Sequence, residues 1–168
     1  SDVLKSFKKE LDQNDDFLKV VEDIPIIKNL IDNGYTGRKG KGGFYRINKD
    51  NNRKILEALN LNTNQYAPAK KIDLKIDNID LFKLINRDDK YGKYAWSVIS
   101  KIILYSSSLI PKITKEYNDI DEALRLGFNW SMGPFEMLES IGLDNFFSKI
   151  GSTKLNPFLD NLKNKKVQ

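Results

Sequence analysis

The chain has 168 residues, 40% of them hydrophobic and 30% charged, with a formal net charge of +5, enough to bury one ordinary core or two small ones. It has no run of about eighteen apolar residues, so no membrane-spanning helix is expected. It has no Cys, which excludes disulfides and thiolate metal sites and fits a cytoplasmic protein. The absence of His excludes more: no Ser-His-Asp triad, imidazole base or His-ligated zinc can be built from this chain alone. Richness in Lys, Asn and Ile is read as codon bias toward AT-rich genes rather than as selection for an anionic partner. The chain opens on Ser1 with no signal peptide, and is read as a processed or expressed segment.

In chain order, the first 33 residues read as helical. Val3, Leu4, Phe7 and Leu11 fall at helical spacing, Asp15–Val21 continues the pattern, and Pro25 suits the first turn of a helix over Ile26–Asp32. Asn33-Gly34 ends that helix, because Gly adopts the left-handed cap without strain. Gly43–Ile47 is expected to be a short strand and Asn48–Asn52 a turn. Lys54–Leu61 is ambiguous between helix and strand. The favoured reading is a small β-hairpin whose second strand lies near Gln65–Ala67, followed by a basic linker, Ala69–Asn78, and a short helix, Ile79–Asn86.

From Tyr91 to about Tyr117 apolar residues occur almost all round, among them Ala95, Trp96, Ile99, Ile102 and Ile103. A helix apolar on most faces sits in the middle of a bundle, and Pro111 predicts a break near Ser106–Ile110. Asp119 reads as the N-cap of the next helix, with Glu122 completing a capping box and Gly127 closing it. Gly133-Pro134 opens another, with Glu136 in its first turn. Gly142 closes that one, Asp144 caps a last turn through Ile150, and Asn156–Lys165 forms a final amphipathic helix.

Two motifs carry a resemblance. Asp119, Ile120, Asp121, Ala123, Gly127, Met132-Gly133-Pro134-Phe135-Glu136 and Gly142–Asp144 follow one another over about 26 residues. Gly37-Arg38-Lys39 and Lys41-Gly42-Gly43-Phe44-Tyr45 form the second. Together they resemble the C-terminal domain of the 3-hydroxyacyl-CoA dehydrogenase family. In a single family domain the Met-Gly-Pro-Phe-Glu helix precedes the Gly-Phe-Tyr segment; here the order is reversed. The chain is therefore similar to the end of a long member with a duplicated C-terminal domain. Residues 1–47 would be the tail of a first copy, 48–90 a hairpin and connector, and 91–168 the second helical copy.

The resemblance implies a mainly α fold, a helical bundle with a small β-hairpin in the N-terminal part. It implies an NAD-dependent parent enzyme of fatty-acid β-oxidation, whose catalytic His–Glu pair and dinucleotide fingerprint lie in sequence absent here. The family's Asn near the substrate carbonyl falls nearest Ile99 and Ser100, neither of which is an amide. No catalytic residue, no bound cofactor and no metal site are therefore assigned, and the isolated chain is expected to be inactive. The implied partners are a nucleotide-binding domain, an acyl-CoA and a further copy in a homo-oligomer. The alternative is a stand-alone helical interaction or oligomerisation module.

Local readings compete at each motif. Gly37–Gly43 is not a Walker loop, since Lys41 is followed by Gly42, nor a G-x-G-x-x-G, since Tyr45 stands where Gly is needed. It reads foremost as a tight turn feeding the Phe44-Tyr45 strand. The functional reading places Arg38, Lys39 and Lys41 near the phosphates of CoA. Asp119, Asp121 and Glu122 read as a cap and first helical turn rather than as a metal cluster. Trp130, Met132 and Phe135 are core, or an interface surface bordering domain and subunit contacts. Lys70-Lys71 and Lys163–Lys166 lack interleaved aromatics, so nucleic acid is not expected as a partner.

Overall fold

The computed structural model describes residues 2–19, 24–50, 53–71 and 80–165. The chain divides into two compact units, Ser1–Leu74 and Lys75–Gln168.

The first unit opens with α1 (Asp2–Glu10), whose last turn carries Lys8 and Lys9 against the negative helix end. Phe7 meets Phe17 edge-on at 5.5 Å. Of the helical stretch expected over Asp15–Val21, Asp16–Lys19 forms a single 3-10 turn; its end lies outside the described residues. In α2 (Pro25–Asp32) Pro25 occupies the first position, where a missing N–H is not needed. Gly34, at φ +81°, lets the Tyr35 N–H turn back to the Leu30 carbonyl at 2.8 Å. Leu30 is the one buried apolar side chain among the described residues of this unit.

The rest of the first unit is a three-stranded antiparallel sheet in the order β1-β2-β3: β1 (Tyr45–Asp50), β2 (Arg53–Leu59) and β3 (Tyr66–Pro68). This corrects the hairpin expected from sequence. Lys54–Leu61 resolves largely as strand β2, and the Gln65–Ala67 region supplies a third strand rather than the second. Of the turn expected at Asn48–Asn52, Asn48–Asp50 instead belong to β1, which pairs with β2 as far as Asp50 opposite Arg53, and the other two residues lie outside the described ones. Asn48 and Lys49 are poor strand formers by type, yet Asn48 lies opposite Ile55 and donates to the Glu57 carboxylate at 3.2 Å.

The second unit is all helix among its described residues: α3 (Leu81–Ile85), α4 (Lys90–Ser108), α5 (Tyr117–Phe128), α6 (Pro134–Ile141), α7 (Leu143–Ile150) and α8 (Pro157–Lys165). As its apolar pattern demands, α4 is the inner helix, packed on α3, α6 and α8. Its N-terminus is capped by Asp89, whose Oδ1 accepts the Tyr91 and Gly92 N–H groups at 3.0 Å each. The helix ends at Ser108 with Leu109 as C-cap, inside the break expected ahead of Pro111. The core joins Ile85, Ile103, Leu138, Ile141, Phe146 and Leu159, with Trp96 edge-on to Phe146 at 5.6 Å. Burying such side chains is worth about 1.5–3 kcal/mol each. Asn156 ties α8 to α4 by donating to Ser107 Oγ at 2.7 Å and to the Leu104 carbonyl at 3.3 Å.

Three cap assignments change. Helix α5 begins at Tyr117, after Glu116, so Asp119 is not the N-cap; it sits in the first turn and accepts from Thr114 Oγ1 at 2.6 Å. The helix closes on Asn129, at φ +55°, rather than on Gly127. The N-cap of α7 is Gly142, which places Asp144 inside the first turn.

Candidate functional site

The motif carrying the resemblance folds into a clasp between α5 and α6. Gly133 is the N-cap of α6 and has no side chain to offer the free amides of the first turn. Asp121, from α5, takes that role: Oδ1 accepts the Phe135 N–H at 2.8 Å and Oδ2 the Glu136 N–H at 3.0 Å. The approach is so close that a Cβ on Gly133 would lie 2.3 Å from Asp121 Oδ1 and 2.4 Å from its Cα. Glu136 completes the exchange, accepting the Gly133 N–H at 2.7 Å and the Arg125 guanidinium at 2.6 Å. Burial pushes the Asp121 pKa above its ordinary value, while the Phe135 and Glu136 amides pull it down. Asp121 is thus a structural carboxylate, and the described residues contain no group of three side chains suited to hold a metal.

Beside the clasp, α4 and α5 enclose an apolar groove of about 590 Å³, lined among others by Ile102, Tyr105, Leu109, Ile120, Ala123 and Trp130. Of the three residues read as core or interface, Trp130 therefore lines a groove and Met132 is half-buried. Phe135 is 6% exposed, packed against the Tyr117 and Phe158 rings. Leu126 and Phe128 project from α5 at 80% and 70% exposure. Ser100 is buried in α4 and Ile99 packs on the core.

In the first unit, the glycine turn is drawn tight at its neck, where the Gly37 N–H donates to the Gly42 carbonyl at 2.7 Å. Arg38 and Lys39 occupy the exposed tip. Lys41 instead folds back, its Nζ donating to the Asn33 carbonyl at the end of α2 at 3.2 Å. The structure thus separates the three cations into a tip pair and a helix-end strut.

Behind the turn lies a cleft of about 290 Å³, among whose lining residues are Tyr35, Arg46 and Tyr66. Arg46 Nε donates to Glu57 at 2.7 Å and Nη1 to the Tyr35 hydroxyl at 3.3 Å, and its guanidinium stacks on Tyr66 at 4.0 Å. Sequence reasoning missed this cluster. Its only signal is alternation along β1 and β2, and that becomes legible once the register is known.

Residues 98–153 match the sequence model of the family described as 3-hydroxyacyl-CoA dehydrogenase, C-terminal domain. A Rickettsia felis protein described as a fatty acid oxidation complex trifunctional enzyme is 36% identical over 173 residues. That alignment takes in 99% of this chain and 24% of the relative. The Rickettsia prowazekii protein of the same description is 33% identical over 82% of the chain and 19% of its own length. A Bacillus subtilis protein described as a 3-hydroxyacyl-CoA dehydrogenase is 32% identical over 83% of the chain and 18% of its own length. The chain thus spans a quarter or less of the length of these relatives. No solved structure matches it significantly. Residues 98–153 of the helical unit thus carry a 3-hydroxyacyl-CoA dehydrogenase C-terminal domain, and the chain as a whole is similar to part of these longer relatives.

Proposed function

We propose that the chain is the C-terminal substrate-cleft and assembly portion of an NAD-dependent 3-hydroxyacyl-CoA dehydrogenase of fatty-acid β-oxidation, working in the cytoplasm. The carrying observation is the alignment with the Rickettsia felis relative, which takes in both units and not the helical one alone. In this reading residues 1–47 are the tail of a first C-terminal copy, 48–90 the hairpin and connector, and 91–168 the second copy.

The residues present do not fit the nicotinamide cofactor. The glycine turn leads into strand β1 rather than opening a helix whose N-terminus could hold a pyrophosphate. The cofactor and the hydride step therefore belong to the nucleotide-binding domain of the parent enzyme, and the chain alone is inactive. What the chain supplies is a wall of the acyl-CoA cleft, cations at the Arg38–Lys39–Lys41 turn for CoA phosphate, and a surface for assembly. Trp130 and Met132 contribute to that surface, with Phe135 bracing it from below. Interfaces gather such apolar patches.

Calorimetric titration with acetoacetyl-CoA tests the cleft assignment. Saturable binding is expected. Absence of binding would favour the second reading, an interaction or oligomerisation module, for which the exposed apolar residues of α5 speak.

A further inference from the structure

We propose that Tyr66 is a positioning residue that shapes the Arg38–Lys39 tip into a phosphate-binding turn. The inference rests on the CoA-phosphate part of the proposed function and assigns the part of the fold that holds the turn in shape.

The tip gathers two exposed cations and their backbone amides within one tight turn. Among the described residues, neither Arg38 nor Lys39 makes an ion pair, and their backbone N–H groups find no acceptor. Two cationic side chains and two adjacent free amides are the donors a phosphate dianion needs. Such donors bind well only where their geometry is fixed beforehand, since ordering a loose loop on binding costs affinity.

The sheet fixes the geometry. The Tyr66 hydroxyl, on β3, donates to the Gly43 carbonyl at 2.5 Å, 23 residues away in sequence, where the returning limb of the turn enters β1. The Tyr66 ring cannot swing away, because it is stacked with Tyr35 at 5.5 Å and covered by the Arg46 guanidinium at 4.0 Å. The same limb lies on Arg46: a Cβ on Gly42 would come within 2.6 Å of Arg46 Cβ. Gly42 also stands at φ +115°, a conformation side chains rarely adopt. With Lys41 bound back to α2, the limb is held from two sides and only the tip is free to meet a ligand.

The test is calorimetric titration of the full chain with coenzyme A at low salt, with inorganic phosphate as competitor. Tyr66→Phe keeps both ring contacts and removes only the hydroxyl. We expect it to raise the Kd for coenzyme A about threefold to tenfold, the worth of one hydrogen bond. Measured well below the thermal midpoint, where wild type and variant are both folded, that rise in Kd is one a merely structural role would not produce, since loss of the hydroxyl would then lower only the midpoint. Gly42→Ala, which displaces the limb, is expected to weaken binding at least as much. Arg38→Ala with Lys39→Ala should abolish phosphate-competed binding, while Arg53→Ala, an exposed cation on β2, should leave it unchanged.

If the tip double variant loses binding but Tyr66→Phe and Gly42→Ala bind like wild type, the positioning role is wrong and the phosphate reading survives. If coenzyme A does not bind, phosphate does not compete, or the tip variant binds normally, the phosphate reading fails and the inference falls with it.

Discussion

Replacing Asp121 by Ala removes the acceptor on which α6 starts. In the folded chain that carboxylate takes the Phe135 N–H at 2.8 Å and the Glu136 N–H at 3.0 Å, and Asp121 is only 3% exposed, so water cannot readily substitute. Loss of an N-cap acceptor costs about 1 kcal/mol, and a buried donor left unpaired costs about 1–3 kcal/mol. Part of this is offset because a buried carboxylate is no longer held out of water, the same effect that raises its pKa. The expected net destabilisation is about 2 kcal/mol. Asp121→Asn keeps one acceptor and turns an NH₂ toward the other amide, so it should fall between wild type and Asp121→Ala.

Trp96 and Trp130, the only tryptophans, both lie in the helical unit, so fluorescence during urea unfolding reports that unit alone. With a denaturant slope near 1 kcal/mol per M, the Asp121→Ala midpoint should drop by about 2 M. The pH dependence has a definite sign. A folded pKa above its ordinary 3.8 means that the group's contribution is largest below that value. It then declines as pH rises through the raised pKa, so the penalty of Asp121→Ala should be greater in mild acid than at neutrality. An Asp121→Ala variant with the wild-type midpoint would refute this account of the clasp.

Gly133→Ala should destabilise the same unit by about 1–3 kcal/mol through overpacking, since the added Cβ meets Asp121 at 2.3 Å while the backbone itself, at φ −79°, is unstrained; a normal urea midpoint would show that the two helices can part freely. Phe146→Ala, at a site with 0% exposure, should cost about 3–5 kcal/mol and change the Trp96 emission that its ring contacts; unaltered emission and stability would contradict the core assignment. In the first unit, the hydrogen bond from Arg46 and a second from Asn48 hold the Glu57 pKa below its ordinary 4.5. The stability that Glu57 contributes is present above that value and is lost as pH falls through the lowered pKa. Glu57→Gln should therefore flatten the acid limb of the tyrosine near-ultraviolet circular dichroism transition, and an unchanged acid limb would count against the pair.

Local signals made the helices legible, and distant partners hid the rest. Pro25 and Pro134 marked helix starts because a fixed φ and a missing N–H suit a first turn, and both stand there. The all-round apolar run ending before Pro111 became α4 for the reason the pattern gave. Asp121 was legible as part of a helix start but not as the cap of a different helix, because its partner amide lies 14 residues on. The polar residues Asn48–Asp50 read as a turn by type and are strand because β2 pairs with them. Arg46 and Glu57, eleven residues apart, meet only through that register.

The proposed role of this chain is to complete a dehydrogenase that it does not replace. The most direct measurement is NADH-dependent reduction of acetoacetyl-CoA, with the chain alone and then titrated into a separately produced nucleotide-binding domain of a 3-hydroxyacyl-CoA dehydrogenase. The account predicts no turnover by the chain alone, and turnover by the nucleotide domain that rises and saturates as the chain is added. Turnover by the chain alone, or a nucleotide domain whose rate is indifferent to it, would contradict the account.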